Sequence, residues 1–415
     1  MSSLKPVRGT HDLLPDEKRR QRFVEDTARE ISGRYGFQEM ATPIFEFSEV
    51  FSRTLGDTSD IVTKEMYSIE ARDGEAITLR PEGTAGVARA FISNSLSHDL
   101  PLKFFYHGPM FRYERPQKGR QRQFHQIGVE LLGVPSAQAD VEVISLAAHL
   151  LDDLGLTDKI TLELNSLGDT ESRATYRDKL VAYFQKHLDG LSEDSRERLD
   201  RNPLRILDSK NEGDREIVAD APLLADSLND TSKQFFDDLI SGLQTLGIAY
   251  DMNPRLVRGL DYYCHTAFEF TTDTLGAQGA VLAGGRYDGL VKQMGGPPTP
   301  GIGWAAGMER LAMMVGDAAP EAGRPIVIVP VGGEAASKAL TLTDQLRKAG
   351  FTVELGYSGN VGKRMKRANK LNAHTVIMLG EDELARDAAT VRDMESGDQT
   401  EVPLPSLEEH LSQYR

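Results

Sequence analysis

Arg112, Glu114, Lys118, Arg120 and Arg122 stand close together in the stretch "MFRYERPQKGRQRQFHQIGVE", with Phe124, Gln126 and Glu130 just behind them. A guanidinium is a planar fork of donors that matches phosphate oxygens, and a phenyl ring offers a flat surface to a nucleobase. The chemistry in view is nucleotide handling, set in a chain whose formal net charge is -15. Two more clusters add groups suited to a small hydrogen-bonding cation. "LRPEGT" places Glu82 and Thr84 at a turn, and "RGLDYY" brings Arg258, Tyr262 and Tyr263 together. A second basic run, "GKRMKRANK", holds Lys363, Arg364, Lys366, Arg367 and Lys370 without an acid. Each has a structural alternative: a solvated charged face for the basic runs, a helix cap for the Pro-Glu-Gly-Thr turn, simple packing for the paired tyrosines. "GIGWAAGMER" is not a dinucleotide fingerprint, because its spacing is GxGxxxG and no ribose-binding acid follows a strand–turn–helix unit. Its glycines suit close backbone approach to a ligand, with Arg310 on the helix after them. No Walker-type lysine motif occurs, so ATP, if bound, is not held in a P-loop.

These groups need elements to position them. Successive side chains on a strand point to opposite faces. That sends His125, Ile127, Val129 and Leu131 to one mostly apolar side, and Phe124, Gln126, Gly128 and Glu130 to the other. Gly128 leaves room for a ligand above the sheet. "LKFFYHGPMFRYE" supplies an antiparallel partner with Arg112 and Glu114 on a shared face, and the basic loop joins the two strands. "AITLRPEGTAGVARAFIS" predicts strand, turn and amphipathic helix. "FQEMATPIF" predicts a strand carrying Pro43 at an edge or interface. Helical periodicity over Asp16 to Tyr35 stops at Gly36. From about Asp169 to Lys233 the chain is polar and helical, which predicts an insertion. Strands return in "RLVRGLDYYCHTAFEF" and "GAVLAGGRYDGL", and "GMERLAMMV" is a helix. Gly316 to Pro325 reads as a linker. Beyond it, "IVIVPV", "TVELGY" and "TVIMLG" alternate with helices and a closing helix follows, the pattern of a small α/β domain with a largely parallel sheet.

At 415 residues, with 40% hydrophobic and 27% charged residues, the chain has ordinary globular composition and room for roughly two to three domains. A single cysteine, Cys264, excludes an internal disulfide and a cysteine-based zinc cluster within one chain. Nine histidines show no HExxH spacing, so no metal held by a protein-only cage is expected. No signal-like segment opens the chain and no long apolar run follows, which predicts no membrane association and a cytoplasmic protein. The acidic balance argues against coating of nucleic acid and leaves local basic patches as the contacts.

Taken together the motifs resemble the histidyl-tRNA synthetases of bacterial type, class II aminoacyl-tRNA synthetases, over almost the whole length. "GFQEMATPIFE" resembles motif 1, the dimer-interface strand, "MFRYERPQKGRQRQFHQIGVE" motif 2, and "GIGWAAGMERL" motif 3; "TLRPEGT", "LVRGLDYY" and "AGGRYDGL" resemble the histidine-specific segments. The resemblance implies an α/β fold: an α+β catalytic domain with an antiparallel class II sheet and flanking helices at 1–168 and 241–318. It also implies a helical insertion at 169–240 and a C-terminal α/β anticodon-binding domain at 325–415.

The same resemblance implies an AMP-forming ligase working as a homodimer on L-histidine, ATP with Mg²⁺, and tRNA(His). It gives the histidine pocket to Glu82, Thr84, Gln126, Glu130, Tyr262 and Tyr263, with Arg112 at the carboxylate end and Arg258 as a catalytic arginine beside it. Arg112 also holds the α-phosphate, Glu114 and Phe124 meet adenine, and Arg120 and Arg310 hold the outer phosphates. Lys118 and Arg122 meet the acceptor end of the tRNA; Lys363, Arg364, Lys366 and Arg367 meet the anticodon arm. Two departures stand out. Cys264-His265 replaces the usual Thr-Gly after the tyrosines, and Gln121 stands where tyrosine is common. The rival readings are a non-enzymatic histidine-binding regulatory subunit of ATP phosphoribosyltransferase, and a synthetase for another amino acid of the same subclass. A pocket that hydrogen-bonds the imidazole rejects analogues by roughly 10⁴-fold, so no editing domain is expected.

Overall fold

The structure is a computed structural model that describes residues 4–55, 61–117, 119–257, 262–275 and 279–414. Contacts divide the chain into two compact units, Met1–Pro320 and Glu321–Arg415.

The first unit opens with α1 (Pro15–Arg34), which has proline at its first position and Asp16 and Glu17 facing the positive end of the helix dipole. Gly36, at φ +77°, turns the chain out of it. Then come β1 (Gln38–Glu39), β2 (Phe45–Phe47), α2 (Ser48–Leu55), β3 (Tyr67–Glu70), β4 (Ala76–Leu79) and α3 (Thr84–Ser93). The predicted strand through Pro43 is therefore two short strands, β1 in the main sheet and β2 in a small one, with the proline between them, where no ladder needs its missing N–H. A long hairpin, β5 (Leu102–Phe111) and β6 (Gln123–Leu132), precedes α4 (Ala137–Asp153) and β7 (Thr161–Ser166). The helices α5 (Thr170–Lys186), α6 (Glu193–Arg201), α7 (Glu212–Ala219) and α8 (Asp230–Thr245) follow. The unit closes with β8 (Asp251–Met252), β9 (Cys264–Thr271), β10 (Ala280–Arg286), α9 (Leu290–Gln293), β11 (Gly301–Gly307) and α10 (Met308–Val315).

The main sheet runs β1-β5-β6-β11-β10-β9-β7-β8 and is antiparallel except at its two ends, where β1 joins β5 and β8 joins β7 in parallel. One face buries Ile127, Val129 and Leu131 of β6 with Phe105, Phe268 and Trp304, against Val24 and Ile31 of α1 and Val143, Leu146 and Leu150 of α4. A buried ion pair ties the sheet to α4. Arg286, fully buried, donates from Nε to both oxygens of Asp140 at 3.2 and 3.0 Å, and from Nη1 to the Val134 carbonyl at 3.1 Å.

The helical segment α5–α7 has a core of its own around Tyr176, Leu180, Phe184, Leu199 and Ile206. Asp169, Ser192, Asn211 and Asn229 cap successive helices through their side chains. Buried Asp214 gathers four donors: Ser192 N–H at 2.8 Å and the hydroxyls of Ser192, Ser195 and Ser209 at 2.7, 2.6 and 2.6 Å. Together these bonds hold its carboxyl at about 2 against the opposing effect of burial.

The second unit comprises β12 (Ile326–Pro330), α11 (Gly333–Lys348), β13 (Val353–Leu355), α12 (Val361–Lys370), β14 (Thr375–Leu379), α13 (Glu381–Ala385), β15 (Ala388–Asp393), β16 (Gln399–Pro403) and α14 (Leu407–His410). Its sheet order is β13-β12-β14-β15-β16, parallel across the first three and antiparallel thereafter. The expectation of a helix alone after "TVIMLG" omits the β15–β16 hairpin. Its charged outer strand β16 lacks a clean apolar alternation, having only Val402 buried.

Candidate active site

The polar face of β6 opens onto a cleft of about 190 Å³. It is lined by Arg112, Glu114, Arg120, Phe124, Gln126 and Arg310, with Ala280–Ala283 of β10 and Gly307 behind them. Arg112 follows directly after β5, and its Nε donates to the Pro81 carbonyl at 2.8 Å, which aims the side chain across the turn that carries Glu82. Its guanidinium lies 5.3 Å from the Phe124 ring centroid. Arg120 pairs with Glu114, and Arg310 donates to the Ala280 carbonyl. Burial, then the neighbouring Arg120, pushes the Arg310 pKa down, the signature of cations directed into one cleft. Such a cleft favours an anion between them.

Behind Gln126 lies a closed polar cluster. Glu130 is 1% exposed; it accepts from the Thr84 hydroxyl at 2.7 Å and from the Tyr287 hydroxyl. Burial pushes its carboxyl up to about 8, opposed by those two bonds. Glu82 accepts from the N–H groups of Thr84 and Ala85 at 2.6 and 2.9 Å, at the N-terminus of α3. It therefore caps the helix while standing in the cluster, and burial raises its pKa as well. Tyr262 and Tyr263 close one wall, with ring centroids 4.6 Å apart, and Tyr262 meets Tyr287 edge-on at 5.9 Å.

Register explains the room for this cluster. Gly303 of β11 lies opposite Glu130, and a Cβ on it would stand 1.9 Å from Glu130 Oε2. Glycine there clears space for the pocket's own carboxylate. Gly128, expected to make way for a ligand, makes way instead for Tyr106, whose ring would be 2.4 Å from a Cβ at that position.

The structure thus brings Arg112, Glu114, Arg120, Phe124, Gln126 and Arg310 to the mouth, and Glu82, Thr84, Glu130, Tyr262 and Tyr263 to the interior. Arg258 and Lys118 lie outside the described residues. Arg122 is turned from the cleft and stacked on Tyr113, 3.8 Å from the ring centroid. Two contributors go unnoticed in the sequence, Tyr106 and Tyr287. The signal for Tyr106 is its pairing with a glycine across the hairpin; for Tyr287 it is the motif "GGRYDGL" itself. Glu309, at the start of α10, was also missed: it accepts from the His125 N–H at 2.9 Å and meets that ring's Nδ1 at 2.9 Å, which locks β6 to the helix bearing Arg310. In the second unit, Lys363, Lys366, Arg367 and Lys370 of α12 are exposed, while Arg364 folds back onto the Pro330 carbonyl and Arg367 pairs with Glu354 at 2.8 Å.

Among the described residues no helix is long and apolar enough to cross a membrane. A family model described as histidyl-tRNA synthetase matches residues 9–311, and one described as anticodon binding domain matches 325–414. Proteins named "Histidine--tRNA ligase" from Rhodospirillum rubrum and Gluconobacter oxydans are 59% and 57% identical to the chain, the first covering 100% of both chains and the second 99% of both. The crystal structure of apo Staphylococcus aureus histidyl-tRNA synthetase is 34% identical, with a TM-score of 0.83, covering 98% of this chain and 99% of that one. With motifs 2 and 3 meeting over one cleft and the histidine-specific segments walling the cluster behind it, the chain belongs to the histidyl-tRNA synthetase family.

Proposed function

We propose that the chain is a histidine–tRNA ligase: it activates L-histidine with ATP and transfers it to tRNA(His). The observation that carries this is a buried carboxylate–tyrosine cluster behind a cationic cleft, with Gln126 of the cleft and Glu130 of the cluster on the same face of β6. In the first step a histidine carboxylate oxygen bonds to the α-phosphorus and the bond to the leaving pyrophosphate breaks. In the second, a ribose hydroxyl at the tRNA 3′ end bonds to the acyl carbon and AMP leaves.

Arg112 holds the α-phosphate and the histidine carboxylate, Arg120 and Arg310 the outer phosphates, and Glu114 and Phe124 the adenine. Charge grows on non-bridging oxygens and pyrophosphate, where fixed guanidiniums stabilise it without a protein base. Mg²⁺, carried by the phosphates, would supply further charge neutralisation. Among the described residues no three His, Cys, Asp or Glu side chains gather to hold a metal. Glu82 and Thr84 take the amino group, and Gln126, Glu130, Tyr262 and Tyr263 read the imidazole. Arg258 remains the catalytic arginine of this reading by resemblance.

The exposed face of α12, with Lys363, Lys366 and Arg367, takes the anticodon arm, and Arg364 supports that helix from behind. A second copy of the chain covers the small sheet β2-β4-β3, whose Phe45, Phe47 and Ile69 are 59%, 48% and 51% exposed.

ATP–pyrophosphate exchange with each amino acid in turn tests the reading. Histidine alone should stimulate exchange; stimulation by none would favour a regulatory subunit. Charge reversal of Lys363, Lys366 and Arg367 should lower tRNA charging and leave exchange unchanged.

A further inference from the structure

The loop's two nucleotide-facing groups are tied together through Arg122. Its carbonyl accepts from the Arg112 N–H at 2.9 Å, and its Nε donates to the Glu114 carbonyl at 3.1 Å. One face of its guanidinium rests on Tyr113 at 3.8 Å from the centroid, and Tyr113 itself meets Tyr67 of β3 edge-on at 5.6 Å.

On the far side a strap from the start of the chain holds Arg122 in place. Its N–H donates to the Gly9 carbonyl at 2.7 Å and its Nη1 to the Arg8 carbonyl at 3.5 Å. The strap is a closed turn, since both the N–H and the hydroxyl of Thr10 donate to the Val7 carbonyl, at 2.9 and 2.8 Å. Gly9 sits at φ +86°, and a Cβ there would stand 2.7 Å from Cγ and Cδ of Arg122 and 3.0 Å from Cγ of Pro116. The position thus demands glycine twice over, for backbone conformation and for close approach. Gly9, Arg122 and Arg112 are linked by two successive backbone hydrogen bonds that continue the β5–β6 ladder beyond its end.

We propose that Val7–Thr10 and Arg122 form a positioning strap for the nucleotide site, fixing Arg112 relative to Glu114, and that Arg122 serves ATP binding through them and not as an RNA contact. This rests on the assignment of ATP to the cleft at Arg112. It implies that Val7–Thr10 belong to the active site's support although they touch no substrate.

The test is ATP–pyrophosphate exchange and tRNA charging by the full chain carrying Gly9→Val, Thr10→Val or Arg122→Lys. Lysine keeps the charge an RNA phosphate needs but lacks the Nε–H aimed at Glu114. Loss of one or two such hydrogen bonds should raise KM for ATP about tenfold. KM for histidine, whose carboxylate Arg112 also holds, should rise with it, and KM for tRNA should hold. An unchanged thermal melt shows that a variant is folded, and if Gly9→Val does not fold, Arg122→Lys carries the test. Unchanged KM for ATP in Arg122→Lys and Thr10→Val would overturn the strap, as would a raised KM for tRNA alone. Absence of histidine-dependent exchange in the wild-type chain would instead defeat the assignment of ATP to the cleft.

Discussion

Replacing Tyr287 by phenylalanine removes one oxygen atom from the interior of the cluster. Tyr287 is 2% exposed and Glu130 1%, so no water takes the place of the hydroxyl that donates to Glu130 Oε2. Thr84 still serves Oε1 at 2.7 Å. The lost bond is buried and, to the ionised form of Glu130, worth about 1.5–3 kcal/mol, which converts to roughly 10- to 150-fold in KM for histidine. KM for ATP should hold, because the cleft lining does not include Tyr287. A pH dependence follows. The Tyr287 bond favours the ionised carboxyl, whose pKa already stands at about 8, so the variant's Glu130 titrates higher still. The deficit should be largest near neutral pH and shrink as pH passes both values. Stability has the opposite trend: the folded protein holds a proton that the unfolded chain releases near its ordinary carboxylate value, so stability falls as pH rises from there to about 8, and in the variant it falls further. Steady-state exchange kinetics at pH 7 and pH 9, with thermal melts at each, provide the measurement. A KM for histidine unchanged at pH 7 with a raised KM for ATP would refute the role given to the Tyr287–Glu130 pair.

In the helical segment, Asp214 titrates near 2, below its unfolded value, so its contribution is complete at neutral pH and is lost as pH falls from about 4 through 2. Asp214→Asn should destabilise α5–α7 by about 2 kcal/mol, seen as faster proteolysis there with exchange intact. Cys264 has its thiol pushed up to about 12 by burial and then by Asp288. It should react slowly with a thiol reagent at pH 8 in the folded chain and promptly once the chain is unfolded, so equal rates would contradict the raised thiol pKa.

The division of β6 into an apolar and a polar face is legible in the sequence, because a strand's period of two leaves no third option for Gln126 and Glu130. The suitability of the mouth arginines for phosphate is legible from residue type, since a guanidinium fork matches phosphate oxygens wherever it stands. Tyr106 and Tyr287 are not. One sits in an aromatic run and the other beside a buried arginine; the pairing of Tyr106 with Gly128 across the hairpin and the hydrogen bond from Tyr287 to Glu130 show that both point into the cluster. The Cys264-His265 departure also acquires meaning only in three dimensions. His265 adopts φ +46°, a region glycine enters freely and other residues at a cost of about 1–2 kcal/mol. A glycine, as the family's pattern has, suits that backbone; here the histidine ring stacks on Phe235 of α8 at 4.6 Å, a contact glycine cannot make. Arg122 shows the limit from the other direction: its charge reads as an RNA contact, and only its partners reveal that its donors and one face are engaged within the protein.

The sheet order also dictates when the site can exist. β6 lies between β5, its immediate neighbour in sequence, and β11, which pairs Gly301–Gly307 with Leu132–Gln126 across the whole of the helical segment. On a ribosome the β5–β6 hairpin emerges early with one edge unpaired, and that edge waits while the residues up to 307 are made. A bare strand edge of this kind invites pairing with other chains. Helices α5–α7, with their own small core and side-chain caps, are able to fold during the delay and occupy the loop that must close. A stall anywhere between β6 and β11 therefore exposes the unfinished sheet to aggregation.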